Sequence, residues 1–334
     1  MRLVRHCGEF NLDHRGCVVA LGNFDGVHLG HQAVILTAKR IAEDLGVAHG
    51  VMTFEPHPRT VFHPEQPSFR LTPFRVKARL IEALGIDLLL QQHFDIGFAG
   101  ISAVQFIEDQ LIQCLATRHV VVGYDYVFGK GRQGTCAFLQ KYGEDKGFGV
   151  TVVPPAMAPS GEIFSSTQVR EYLVGARPAD AAKLLGHYWE VEGRVEHGDA
   201  RGHVLGFPTA NLRLGEYQHP AVGVYAVRAG IDKGGDTVWH DGVANFGRRP
   251  TFDKTDELLE VHLLDLDEDL YGRHLRVALI DYIRPERKFA GLDELRTQIA
   301  LDIETGRAML SGRQFTASPG PMVPVSPSPS RMPS

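Results

Sequence analysis

Two histidines three residues apart, His28 and His31, close the stretch GNFDGVHLGH at residues 22–31. Residues three apart share one side of a helical turn, so both imidazoles would face the same way. Paired imidazoles at a helix start can hold the charge that develops on a phosphate under attack. A helix N-terminus adds amide donors aimed at an anion. Gly22, Gly26 and Gly30 let a ligand approach the backbone closely. No P-loop lysine is present, so this is not a Walker A motif. With 16 histidines in the chain, a bare HxGH also reads as a tight turn carrying two surface histidines. A second candidate is GRVEHGDARGHVLGFPTANL at 193–212, where glycines at 193, 198, 202 and 206 surround Arg201. Such flexible backbone beside a strand can close over phosphates. Thr209 and Asn211, two apart on an extended chain, would point the same way and offer oxygens to Mg²⁺. Without a carboxylate they would hold the ion only together with a nucleotide. Alone, a TAN tripeptide is an ordinary turn.

The elements that must carry these groups differ between the two halves. Residues 17–22 read as a buried strand that breaks at Gly22, and 30–46 as a helix with a C-cap glycine at Gly46. Further strands are expected at 47–54, over IDLLLQ, at 118–123 and from 149, with helices over 73–84 and 102–115. Strands alternating with helices indicate a parallel α/β sheet, placing HxGH at the mouth of a parallel strand. The texture changes near 187. WEVEGRV, GVYAVRAGI, TVWHDGVANF, LLEVHLLDL and HLRVALIDYI are short alternating strands divided by Gly, Asp and Pro, which suits a small antiparallel barrel or sandwich. A last helix is expected at 292–306, and the Ser/Pro-rich end reads as a disordered tail.

Composition sets the bounds. The chain has 334 residues, enough for two domains, expected at 1–186 and 187–306 with a tail at 307–334. Lysine plus arginine is 35 against 40 acidic residues, a net charge of −5, so no basic excess exists for a nucleic acid. No apolar run is long enough to span a bilayer, and the first residues lack the apolar core of a secretory signal. The four cysteines form no CxxC pair, and no second close pair completes a metal site with Cys7 and Cys17. They read as free thiols of a cytoplasmic protein.

The N-terminal half resembles the HxGH nucleotidyltransferases, and more narrowly the adenylyltransferase half of the bifunctional riboflavin kinase/FAD synthetases. TFEPHP at 53–58, RLTPFRVKARLIEALG at 70–85, VVGYDYVFGKGRQGT at 121–135 and FSSTQVR at 164–170 carry the likeness. The last is similar to an ISSTxIR motif, with Phe164 and Val169 as apolar replacements. The resemblance implies a Rossmann-like domain in which an FMN phosphate attacks the α-phosphorus of ATP and expels pyrophosphate. His28, His31 and Arg170 would neutralise charge with Mg²⁺. Gly22, Asn23, Phe24, Asp25, Gly30 and Asp125 would lie near ATP, and Ser166 and Thr167 would suit its phosphates. Phe54, Pro56, His57 and Pro58 would lie near the flavin. Taken alone, SSTxxR reads equally as a helix N-cap with a surface arginine, and the prolines as loop packing.

The C-terminal half is similar to the riboflavin kinases over residues 193–212, PAVGVYAV, GVANFGRRPTF, LEVHLLDLDEDLYGRHLRV and IRPERKF. The resemblance implies ATP contacts at Gly202, Gly206 and Pro208, Mg²⁺ at Thr209 and Asn211, and Glu260 as general base on the ribityl 5′-hydroxyl. An arbitrary strand glutamate would instead pair with a surface cation. The implied substrates are riboflavin, FMN and ATP, and the implied product is FAD. Two other readings stay open: nucleotidyl transfer to another phosphorylated acceptor such as phosphopantetheine, and a flavin-binding module without turnover. Oligomeric state is not determined by these motifs.

Overall fold

The computed structural model describes residues 1–6, 9, 15–158, 161–196, 206–232, 236–250, 255–313 and 315. The N-terminal sheet holds six strands: β1 (Arg2–Val4), β2 (Val18–Leu21), β3 (His49–Glu55), β4 (Leu88–His93), β5 (His119–Gly123) and β6 (Gly149–Val153). Their order is β1-β4-β3-β2-β5-β6, and all pairs are parallel. Side chains alternate across a strand, and β2 shows the result. Val18 and Ala20 join one apolar cluster, while Cys17, Val19 and Leu21 join the other. Both faces are therefore covered, as a parallel sheet requires.

The helices that do the covering are α1 (Leu29–Leu45), α2 (Pro58–Phe62), α3 (Phe74–Glu82), α4 (Ile96–Ala99), α5 (Ala103–Phe106), α6 (Cys136–Lys146), α7 (Ser166–Val174) and α8 (Pro178–Leu185). The α5 helix continues as a π-helix over Ile107–Cys114. Gly46 ends α1 in the left-handed conformation, φ 63°, as its C-cap position predicts. The β1 strand was not expected, because three residues are too few to show a period. It pairs with β4 at the sheet edge. Cysteine chemistry also departs from expectation. Cys17 and Cys136 are free, but Cys114 is disulfide-bonded. Spacing rules detect close pairs and say nothing of cysteines joined by the fold.

The second sheet is antiparallel and nearly closed. Its strands are β7 (Glu190–Arg194), β8 (Ala210–Arg213), β9 (Gly223–Asp232), β10 (Thr237–Pro250), β11 (Thr255–Leu263) and β12 (His274–Arg284). They run in the order β7-β12-β9-β10-β11-β8. A bridge between Glu196 and Asn211 brings the two edges together. Helix α9 (Leu292–Leu310) lies against this barrel and runs past the expected end at 306. Its Asp302, buried, accepts from Arg284 at 2.8 and 2.6 Å. Beyond the helix, Phe315 packs on Trp239 at 4.6 Å and stacks on Tyr188 at 5.7 Å.

The two sheets meet over a buried seam. One apolar cluster runs from Val18 and Ile35 through Leu173 and Leu185 to Trp189, Tyr217 and Val261. Within it the Trp189 indole donates to the Leu71 carbonyl at 2.8 Å. Glu190 is 4% exposed and accepts from Arg276 of β12 at 3.0 and 3.2 Å and from Arg79 of α3 at 2.9 Å. A buried pair loses most when one partner goes, because the other charge stays behind unanswered. Replacing Glu190 by alanine should therefore lower the unfolding free energy by about 3–5 kcal/mol, read from urea denaturation.

Candidate functional sites

The first site lies where β2 ends and α1 begins. His28 is the N-cap of α1, and its Nδ1 accepts from the His31 amide at 3.3 Å. The two rings stack at 3.5 Å with 22° between planes, so the spacing argument places them correctly. A Cβ on Gly30 would come to 3.1 Å from the His28 ring and 3.2 Å from the Phe164 carbonyl, so one of them would have to shift. A Cβ on Gly22 would strike the Phe24 ring at 2.9 Å. Burial drives the His28 pKa down from 6.5 to about 3, with Arg170 and His187 pushing the same way and Asp25 opposing. Burial likewise holds His31 well below 6.5, helped by His28, Lys77 and Arg170. Both imidazoles are therefore neutral at pH 7.

Asp25 sits beneath this pair, 2% exposed. Its carboxylate accepts from the amides of Leu71 (3.0 Å) and Thr72 (2.9 Å), from the Thr72 hydroxyl (3.3 Å) and from Arg170 (2.6 Å). Burial alone would raise its pKa, but Arg170 and Arg70 outweigh that and hold it low. Arg170 also donates from Nε to the Phe69 carbonyl at 2.8 Å. Ser166 donates to the Asp25 carbonyl at 2.7 Å from the start of α7. Thr167 and Asn23 are exposed at the same mouth, and Asp125 is exposed just past β5.

The site contains members that the sequence reading left unassigned. Lys77 is fully buried and reaches Glu55 (2.7 Å), Thr53 (3.1 Å) and the Asn23 carbonyl (3.1 Å). Arg70 grips Glu55 through two bonds of 3.1 and 2.7 Å. The signal was present: Lys77 shares the buried stripe of α3 with Leu80 and Ile81, three and four residues on. A charge in an apolar stripe demands partners.

The residues expected near the flavin gather at the C-terminal end of β3. Phe54 is followed by the cis Glu55–Pro56 bond. His57 caps α2 and packs edge-on to Phe69 at 5.0 Å, and Pro58 takes the first helical position. Burial takes the His57 pKa down to about 4. An aromatic wall, not foreseen, extends from Phe54 to Phe94 (6.1 Å), Phe98 (6.2 Å) and Phe106 (6.4 Å).

The second site is on the barrel, well removed in sequence. Glu260 of β11 stands in register with Asn211 of β8 on one side and Asn245 of β10 on the other. Directly paired residues share a face, so the three form a row. Asn211 is 4% exposed, and its Oδ1 has no hydrogen-bond partner among the described residues. An orphaned buried oxygen beside a second oxygen donor, Thr209, suits a hard cation. Asn245 was not assigned from sequence; it donates to Glu286 at 3.1 Å. Pro208 and Gly206 are exposed next to the row, and the Pro208 carbonyl meets His262 Nδ1 at 2.8 Å. Gly202 lies outside the described residues. No group of three or more metal-ligating His, Cys, Asp or Glu side chains occurs among the described residues.

Comparison with known proteins follows the same division. The family model for FAD synthetase matches residues 11–168, and that for riboflavin kinase matches 185–310. A bifunctional riboflavin kinase/FMN adenylyltransferase of Escherichia coli K12 is 43% identical over 92% of this chain and 97% of its own. One from Bacillus subtilis is 42% identical over 85% of this chain and 90% of its own. A crystal structure described as a macrolide-efflux protein from Streptococcus pneumoniae superposes with a TM-score of 0.81 at 31% identity. It covers 92% of this chain and 98% of that one.

The neutral histidines give the stability a pH dependence. An unfolded His28 takes up a proton near 6.5, the folded one only near 3, so stability is lost as pH falls through that window. Replacing His28 by asparagine should flatten the acid side of the profile by about 1.4 kcal/mol per pH unit, measured by urea denaturation between about pH 6 and 4.

Proposed function

On these matches the chain belongs to the family of bifunctional riboflavin kinase/FMN adenylyltransferases, and we propose from that premise how its residues divide the two reactions. It phosphorylates riboflavin to FMN with ATP, and it adenylylates FMN to FAD with ATP, releasing pyrophosphate. The observation that carries the division is two unlike phosphate-type sites on two unlike sheets: the stacked His28–His31 pair and the Asn211–Glu260–Asn245 row.

In the N-terminal unit, residues 1–186, the FMN phosphate attacks the α-phosphorus of ATP. No enzyme nucleophile is needed, so catalysis is positioning plus neutralisation of charge. His28 and His31 donate to phosphate oxygens from the start of α1, and Arg170 adds the cation. Gly22, Asn23, Phe24 and Gly30 line the approach. Thr167 and Asp125 stand at the mouth. Asp25 and Ser166 act through the backbone they hold, keeping Arg170 and the turn in place. Phe94 and Phe98, half-buried over the core phenylalanines Phe54 and Phe106, form an apolar face suited to a flat ring system, with Pro56, His57 and Pro58 at its edge.

In the C-terminal unit, from 187 through the end of α9, Glu260 takes the proton from the ribityl 5′-hydroxyl as that oxygen attacks the γ-phosphorus of ATP and ADP leaves. Asn211 and Thr209 would hold Mg²⁺, which supplies charge neutralisation to the ATP phosphates. Gly206 and Pro208, with Gly202, border the nucleotide. We place the protein in the cytoplasm. The efflux description of the Streptococcus pneumoniae structure is not carried over. No helix among the described residues is long and apolar enough to cross a membrane.

Purified protein with riboflavin, ATP and Mg²⁺ should accumulate FMN and FAD, followed by chromatography. Glu260→Ala should cut riboflavin phosphorylation by about 10²–10⁴-fold while FMN adenylylation persists. His28→Ala combined with His31→Ala should do the reverse. Loss of both reactions in either folded variant would contradict the two-site division.

A further inference from the structure

His187 lies inside the segment matched to riboflavin kinase, yet it touches the adenylyltransferase turn. Its ring is 4% exposed. Nε2 is 3.2 Å from the Gly26 carbonyl, and Nδ1 is 3.0 Å from the carbonyl of Tyr188. A buried imidazole with no polar task would be a poor choice there, since an apolar side chain fills the same volume without desolvating two nitrogens.

The turn it touches needs holding. Phe24 and Val27 have φ of 49° and 43°, a left-handed conformation that L side chains disfavour, and Gly26 between them has φ of 89°. Such backbone persists only when its surroundings over-determine it. Other ties hold it besides His187, among them the Ser166 hydroxyl on the Asp25 carbonyl and the bonds to the Asp25 carboxylate. The Gly26 amide donates to the Thr72 hydroxyl at 2.8 Å. Gln32 donates to the carbonyls of Val27 and Leu185, both at 2.8 Å. His28 is the next residue, so any slack in the turn moves its ring.

We propose that His187, as the Nε2–H tautomer, is a positioning residue for FMN adenylylation: from the kinase-matched segment it donates to the Gly26 carbonyl and fixes the strained turn that aims His28. The inference rests on the assignment of His28 to that reaction. The neighbouring residues reinforce it. Trp189 donates to the Leu71 carbonyl, whose own amide binds Asp25. Tyr188 stacks under Phe315. Residues 187–189 thus grip the turn and its supporting segment at once, and they lead directly into β7.

The test uses the full chain with His187→Phe, His187→Ala and His187→Gln. Phenylalanine keeps the volume and removes the donor; glutamine keeps a donor. Turnover and KM for FMN adenylylation, turnover for riboflavin phosphorylation, and Tm are measured for each. The expected result is a fall of about tenfold or more in adenylylation kcat for Phe and Ala, since small misplacement of a catalytic group is costly. KM for FMN and kinase turnover should stay within about twofold, and Gln should recover to within about threefold of wild type. Unchanged adenylylation in the Phe variant overturns the proposal. So does an equal loss of both activities. If alanine does not fold, the Phe and Gln pair decides; if none folds, His187 is a folding determinant and the proposal fails. A wild-type protein that makes no FAD would instead refute the assignment of the reaction itself.

Discussion

A carboxylate shut off from water must be answered by protein donors, and Asp25 is the group on which the N-terminal site is built. Its donors come from far along the chain: the backbone at Leu71 and Thr72, and the guanidinium of Arg170. Satisfying it therefore joins the turn after β2, the segment before α3 and the helix α7 into one unit. Glu55 repeats the arrangement with Lys77 and Arg70. Two buried carboxylates thus face three cations, Arg70, Lys77 and the largely buried Arg170. Among the buried groups the imbalance is positive and local, with the more exposed Glu216 also meeting Arg70 at 3.3 Å, on a chain whose net charge is −5. Global acidity does not hinder a site that carries its own field.

The same segment that satisfies Asp25 also receives the barrel. Arg70 donates from its amide to Glu216 and accepts from Gln218 at its carbonyl, at 3.1 and 2.7 Å, and its side chain meets Glu216 at 3.3 Å. Ser68 donates to Gly215 at 2.8 Å. Residues 68–72 are therefore a shared strut, bound to the nucleotidyl site on one side and to the barrel on the other. With Glu190 between Arg79 and Arg276, the seam is polar and specific as well as apolar. Buried ionic seams add little net stability once the desolvation of both charges is counted. A hinge between the two sheets would have to break several buried hydrogen bonds together.

The parts of the fold visible in the sequence were those with a period or a stop signal. β2 and α1 declare themselves by a buried run, a helical stripe and Gly46. The barrel strands declare themselves by alternation and turn residues. β1 has three residues and no pattern to read, and α6 carries only Leu139 and Gly143 as buried positions, too few for a stripe. The sites divide in the same way. His28, His31, Thr209, Asn211 and Glu260 stand in compact motifs. Lys77, Asn245 and the phenylalanines beside Phe54 take their meaning from partners on other elements. Only register sets Asn245 beside Glu260, and only sheet order sets Phe94 beside Phe54.

The depressed histidine pKa values bear on how the adenylyl site would work. A pair of imidazolium ions would attract ATP strongly in the ground state, and much of that attraction would be spent before reaction. Neutral imidazoles would bind the resting phosphates more weakly but would keep their N–H donors for oxygens that gain charge as the α-phosphorus is attacked. Burial supplies the neutrality, and the stacked geometry keeps both rings in place without a conformational change. Arg170, tied to Asp25, cannot swing toward the phosphates without leaving a buried carboxylate short of a partner. Its cost of movement is large, so its charge acts from a fixed point. On this reading the site favours the transition state through what it prevents from moving.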